Sequence, residues 1–413
     1  MNKIFFLIII AVITFSRCTS NPEVAQAKLE TGIWRVALST QGQELPFNFE
    51  VTLESSGDYF VHLINGDERL EAGVVEFNGD SINIPLGYFD ASLQGKITES
   101  GITGFYTKHF AEDYFIPFEA VPNATYRFKD ENISLENKFE GKWEVTFVNP
   151  EEESSYSAIG IFQQNSGKLI GTFLTATGDY RFLEGIEGDN NLKLSTFDGS
   201  HAYLFLAELQ EDGSLKGEFF SGKGGYRTWT AFKNPDVELP SPEELTFLKE
   251  GYDKIEFTMP DLNGNPVSLD DPKYQGKVVI LQIFGSWCPN CMDESKFLAP
   301  WYDSNKDRGV EIIGLAYENK EDFDYASKRV KKMVEKLKIN YDFLIAGGRA
   351  SDKASLTLPM LNKVFIYPTT IFIDRSGKVR RIRSGFSGPG TGKYYDQFVE
   401  DFGQFMDQLL IED

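Results

Sequence analysis

Val278-Val279-Ile280-Leu281-Gln282-Ile283-Phe284 runs straight into Gly285-Ser286-Trp287-Cys288-Pro289-Asn290-Cys291, and a helical pattern follows from Asn290 to Tyr302. An apolar run of this length reads as a central strand covered on both faces. Val310 to Ala316 and Thr369 to Ile373 read the same way, with helical patterns at Asp322 to Leu337 and Tyr395 to Leu410. Strands alternating with helices predict an α/β domain with a mixed sheet. Pro289 suits the first helical position, where its missing N–H would have had no intrahelical partner. Cys288 therefore falls at a helix N-terminus, where free N–H groups and the helix dipole favour its thiolate, while Cys291 lies one turn inside and is shielded. The two read as an attacking and a resolving sulfur.

Other readings of the pair fare worse. Zinc would need two more ligands, and none of His62, His109 or His201 falls in this part of the chain. Haem attachment needs a His after the second Cys, where Met292 stands. An inert structural disulfide stays open, although two intervening residues constrain almost no chain.

Residues 252–413 resemble the thioredoxin-fold domain of the membrane-tethered, extracytoplasmic thiol-disulfide oxidoreductases of the TlpA and ResA type. The shared marks are Trp-Cys-x-x-Cys at 287–291, Glu294 three residues after the second Cys, Tyr367-Pro368-Thr369-Thr370 before a strand, and the turn Asp374-Arg375-Ser376-Gly377. The resemblance implies a cis Pro368 facing the disulfide and a Tyr367 backbone that pairs with an incoming substrate chain. Trp287 and Pro289 would border that substrate, and Glu294 would tune the cysteines and move protons. It also implies protein dithiol or disulfide substrates, re-reduction by a membrane thiol donor, and no cofactor beyond the Cys288-Cys291 pair. Asn290 lies between the cysteines, where residue identity shifts the potential, so the motif itself does not give the direction of transfer. Reduction is the direction the resemblance favours.

Upstream, 30–232 alternates apolar and polar side chains in short runs broken by Gly, Asn and Asp, the pattern of half-buried strands. Trp34, Val36 and Leu38 point one way; in the next run Phe47, Phe49, Val51 and Leu53 do. Gly32-Ile33-Trp34-Arg35-Val36 returns as Gly141-Lys142-Trp143-Glu144-Val145, and Gly79-Asp80 and Phe89-Asp90 return as Gly188-Asp189 and Phe197-Asp198. An ordered repeat predicts a duplicated all-β unit, with copies at about 30–128 and 139–232. The copies form either separate small sandwiches or barrels, or one larger barrel. Trp34, Trp143 and Trp229 read as core, and the region shows no constellation comparable to the cysteine pair. A Pro- and acid-rich stretch at 233–250 reads as a linker, leaving 251–413 as the thioredoxin-like domain, of a size that folds alone. The chain is thus multidomain, all-β followed by α/β.

At the N-terminus, Lys3 precedes a short apolar run from Ile4 to Val12 and small polar residues around Cys18. This describes an export signal at 1–17, and Phe15-Ser16-Arg17-Cys18 resembles the lipobox of bacterial lipoproteins, with Cys18 acylated and 18–29 a tether. The implied location is the bacterial cell envelope, facing the periplasm and anchored by lipid. With 62 acidic against 41 basic residues the chain carries a net charge of −21, which makes nucleic acid a poor partner. The rival function is a cell-envelope binding lipoprotein whose thioredoxin-like part is only a scaffold.

Overall fold

The computed structural model describes residues 28–129 and 136–412. The export signal, Cys18 and most of the tether lie outside the described residues. Among those described, no helix is long and apolar enough to cross a membrane.

The β region forms two separate antiparallel sheets of nine strands each, one per copy. In both, the first strand pairs with the second on one side and with the last on the other: Gly32–Thr40 with Gln43–Leu53 and Phe115–Pro122, and Gly141–Asn149 with Ser154–Asn165 and Gly225–Lys233. The repeated Gly-x-Trp marks equivalent strand starts. Trp34 Nε1 donates to the carbonyl of Glu30 at 2.9 Å, and Trp143 Nε1 to that of Phe139 at 2.8 Å, four residues back in each copy. Alternation buries Trp34, Val36 and Leu38 against Phe49 and Phe47. Leu53, at the end of its strand, is exposed instead of following Val51 inward.

The copies close differently. In the second, Lys168–Thr175 pairs with both Ser154–Asn165 and Leu183–Glu187, completing an eight-strand ring. In the first, Glu68–Val74 pairs with Tyr59–Asn65, and the chain then continues as Glu76–Asn78 to pair with Ser81–Pro85. The units pack together. Phe47 stacks on Phe197 at 4.2 Å, and Asn65 both donates to the Phe197 carbonyl and accepts from its N–H.

The C-terminal domain has a five-stranded mixed sheet in the order Asp342–Gly348, Val310–Glu318, Val278–Phe284, Thr369–Ile373, Val379–Ser384. The first three strands run parallel and the last two antiparallel. Four helices accompany it: α1 (Pro289–Asn305), α2 (Phe323–Leu337), α3 (Ser351–Thr357) and α4 (Lys393–Ile411). Val278, Ile280 and Phe284 pack under α1, α2 and α4. Val279, Leu281 and Ile283 face the other way, toward Phe257, Met259 and Leu358. The alternation puts Gln282, the one polar residue of the central strand, on the α1 side.

The two regions share contacts along a broad front. Tyr88 and Phe89 of the first barrel belong to the same apolar cluster as α1, α2 and α4. Asp90 accepts from Tyr325 Oη at 2.8 Å and pairs with Arg329 at 3.6 Å, both on α2. The stretch read as a linker lies along the C-terminal domain: Ser384 N donates to the Pro242 carbonyl, Ser384 Oγ to Thr246 Oγ1, and Leu248 bridges to Leu361.

Candidate active site

Cys288 is the N-cap of α1, its Sγ accepting the Cys291 N–H at 3.2 Å, with Pro289 as the first helical residue. Cys288 and Cys291 are joined in a disulfide. The preceding turn is held rigidly. Glu318, buried at the end of its strand, accepts from Ser286 N at 2.7 Å and Ser286 Oγ at 2.8 Å, and Trp287 Nε1 donates to the Tyr317 carbonyl at 2.8 Å. Gly285 permits this close approach, because a Cβ there would stand 2.2 Å from the Trp287 ring nitrogen.

Cys291 is wholly buried and Cys288 nearly so. The Tyr367–Pro368 peptide bond is cis, and the Tyr367 carbonyl oxygen lies 3.5 Å from Cys288 Sγ. The Tyr367 ring meets Trp287 edge to face at 5.5 Å. Trp287, Cys288, Pro289, Pro368 and Tyr367 thus come together around one sulfur.

Glu294 sits one turn beyond Cys291, buried beside it in α1. Its carboxylate accepts from Gln282 Nε2 at 2.8 Å and Thr370 Oγ1 at 2.6 Å, and the same Gln282 amide reaches the Cys291 carbonyl at 3.4 Å. Burial pushes Glu294 up to about 7, against the pull of Thr370, Gln282 and the more distant Arg383. A buried carboxylate raised toward neutrality beside Cys291 is suited to proton transfer once the disulfide is reduced.

The β region contributes more to this site than its sequence shows. Arg181 of the second barrel is buried between Glu68 of the first barrel, Asp198 of the second and Asp293 on α1, and it donates to the Pro289 carbonyl at 3.3 Å. Burial lifts Glu68 to about 7 in spite of Arg181, whose charge is shared with Asp293 and Asp198. Asp198 stays low, at about 2: burial raises it, but His201, Arg181 and the His201 backbone N–H outweigh that. Asn290, inside the redox motif, donates to the Asp179 carbonyl at 3.2 Å, and Ser200 Oγ donates to the Trp287 carbonyl at 3.0 Å. The backbones touch as well, since a Cβ on Gly385, whose φ is +78°, would lie 2.5 Å from the carbonyl carbon of Thr177. Nothing in the β region compares with the cysteine pair among the described residues, as expected, but its buried cluster of Arg181, Glu68 and Asp198 packs directly on the redox motif. Gln282, Glu318, Asp179, Arg181 and Ser200 all escaped the sequence reading; only Gln282, a polar residue inside an apolar strand, left a visible signal.

Helix-capping disulfide, cis-proline loop and buried carboxylate on this sheet define a thioredoxin-fold thiol-disulfide oxidoreductase. The AhpC/TSA family model matches residues 251–382. The thiol-disulfide oxidoreductase ResA of Bacillus thuringiensis subsp. konkukian is 31% identical over 132 residues, 32% of this chain and 68% of that protein. ResA of Bacillus subtilis is 28% identical over 138 residues, 33% of this chain and 69% of its own. A solved thiol:disulfide interchange protein of the thioredoxin family from Chlorobium tepidum is 22% identical, covering 39% of this chain and 98% of that one, with a TM-score of 0.30. The chain belongs to the ResA family of thiol-disulfide oxidoreductases through its C-terminal domain. Among the described residues no cluster of His, Cys, Asp or Glu is arranged to hold a metal ion.

Proposed function

We propose that the protein is an extracytoplasmic disulfide reductase, anchored by an acylated Cys18 and re-reduced by a membrane thiol donor. The carrying observation is the position of Cys288: capping α1, beside the Tyr367 carbonyl, with Cys291 buried behind it. In the reduced protein the helix N-terminus stabilises the Cys288 thiolate, which attacks a substrate disulfide. The first substrate sulfur leaves as thiolate and the mixed disulfide lies along Tyr367 and Pro368. Cys291 gives its proton to the Glu294 carboxylate and attacks Cys288 Sγ, releasing the second substrate thiol and closing the Cys288–Cys291 disulfide. Two electrons pass from the enzyme dithiol to the substrate. Trp287 and Pro289 border the substrate on the other side.

The test is Cys291→Ala expressed in its native envelope, where mixed disulfides through Cys288 are expected to accumulate. A folded variant that traps nothing would sink the mechanism and favour a binding lipoprotein with a redox-inert scaffold. The anchor is tested by fractionation: wild type should partition with membranes and Cys18→Ala should not, so a fully soluble wild type would refute it.

A further inference from the structure

Between the second barrel and the disulfide lies a cleft of about 780 Å³. Its floor holds Cys288, Trp287 and Tyr367, and its wall is the open end of the barrel, with Tyr156, Tyr203 and Phe219. These wall rings continue into an aromatic barrel interior: Phe205 stacks on Phe219 at 4.4 Å and Tyr203 meets Phe219 at 5.3 Å. The hydrogen bonds from Arg181, Asn290 and Ser200 across the interface seal the side nearest α1. Cys288, only 5% exposed, has the barrel standing in front of it.

We propose that this cleft is the substrate site and that it selects a disulfide carried on an extended polypeptide segment bearing aromatic or apolar side chains. The proposal rests on the reductase reading and adds the substrate class to it. A cleft of this volume encloses a drug-sized molecule or a few residues of extended chain, and has no room for a folded domain. The floor offers extended backbone at Tyr367 beside the sulfur, while the wall offers aromatic faces that favour burial of apolar side chains. A folded protein whose disulfide sits in its own surface meets the barrel before it meets Cys288. In turnover the Cys288 thiolate forms one sulfur bond to the segment as the segment's disulfide breaks. The leaving sulfur departs as a thiolate and takes up a proton. Cys291 then attacks Cys288 Sγ, breaking the mixed disulfide and releasing the second sulfur of the segment, so the segment gains two electrons as the Cys288–Cys291 disulfide forms, and dithiothreitol restores the dithiol in the assay.

The experiment uses the full chain with three oxidised substrates: a small aromatic disulfide, an unstructured peptide holding the same disulfide between Phe and Tyr, and a folded domain with that disulfide on its surface. The peptide is expected to be reduced about tenfold faster than the folded domain or more. Gly224 sits on the exposed rim, and a Cβ added there meets no atom within 4 Å. Gly224→Trp should therefore raise the KM for the peptide by about tenfold and slow the small disulfide less, with Gly224→Ala close to wild type. Equal rates on peptide and folded domain, or a peptide KM indifferent to Gly224→Trp in a folded variant, would overturn the cleft while leaving the reductase intact. Failure on all three substrates would overturn the underlying reading, and the cleft with it.

Discussion

The two β copies share a strand order and a Gly-x-Trp strand start, yet they meet the thioredoxin-like domain in different ways. Asp90 of the first copy and Asp198 of the second come from the same repeated Phe-Asp turn. Asp90 grips α2 through Tyr325 and Arg329, away from the sulfurs. Asp198 instead helps hold Arg181, which reaches the Pro289 carbonyl inside the redox motif. One duplicated acid thus serves as a fastening in one copy and as part of the active-site surroundings in the other. The interiors diverge in parallel. The first barrel is filled mainly by aliphatic side chains, whereas the second is packed with rings from Phe147, Phe173, Phe205 and Trp229 that extend toward Cys288. Duplication supplied two equivalent surfaces, and only one of them became a wall of the cleft.

The strongest way to break this contrast is at Arg181. Arg181→Leu leaves Glu68, at pH 8, buried without its cation and leaves Asp293 and Asp198 with only Lys296 and His201, and should cost about 3–5 kcal/mol in denaturant unfolding. A cost under about 1 kcal/mol would mean that the second copy is not held as described. Next comes Glu294→Gln, which separates the redox domain's own titration from those of the barrels. Its folded pKa of about 7 lies above its ordinary value of 4.5, so the folded state holds a proton that the unfolded chain releases. Stability from this group is present at low pH and is lost as pH rises from about 4.5 through 7. The variant should gain on wild type across that window, by on the order of 3 kcal/mol above pH 7. Parallel unfolding curves at pH 5 and pH 8 for the two proteins would contradict the assignment. A smaller effect is expected at Asp90→Asn, about 1–2 kcal/mol from weakened bonds to Tyr325 and Arg329, with small-disulfide reduction within about twofold of wild type. A large loss of rate there would make the first copy part of the active site. The smallest effect is a difference between two variants. Trp34→Phe and Trp143→Phe each remove one indole hydrogen bond at the same place in the repeat, and their stability costs should agree within about 1 kcal/mol.

The fold was legible where periodicity was strict. Val278–Phe284 and Thr369–Ile373 occupy the strands their apolar runs mark, and α2 begins right after Asp322, its N-cap. The duplicated unit was legible from the Trp34 and Trp143 strand starts, but the choice between two barrels and one was not, because ring closure depends on pairings such as Ala158 with Thr175 that leave no local trace. Short elements, α3 among them, carried too little pattern to be noticed. At the site, Cys288, Cys291, Glu294, Tyr367 and Pro368 could be singled out because they fall in contiguous motifs. Arg181 could not: its partners Glu68 and Asp293 lie more than a hundred residues away on either side, and an arginine in a loop reads as solvated. The negative surplus of the whole chain hid the fact that several of its acids face inward.

Asn290 gives the redox motif a second job. Its amide holds the Asp179 carbonyl of the barrel, so the dipeptide between the cysteines is also a latch. Engineers commonly exchange that dipeptide to retune an oxidoreductase, treating it as a dial for potential alone. In this chain the same exchange would loosen the roof over the sulfurs, changing which molecules get in along with how strongly they are reduced. At Asn290, driving force and the fastening of the barrel meet in one side chain, so an exchange there moves both together.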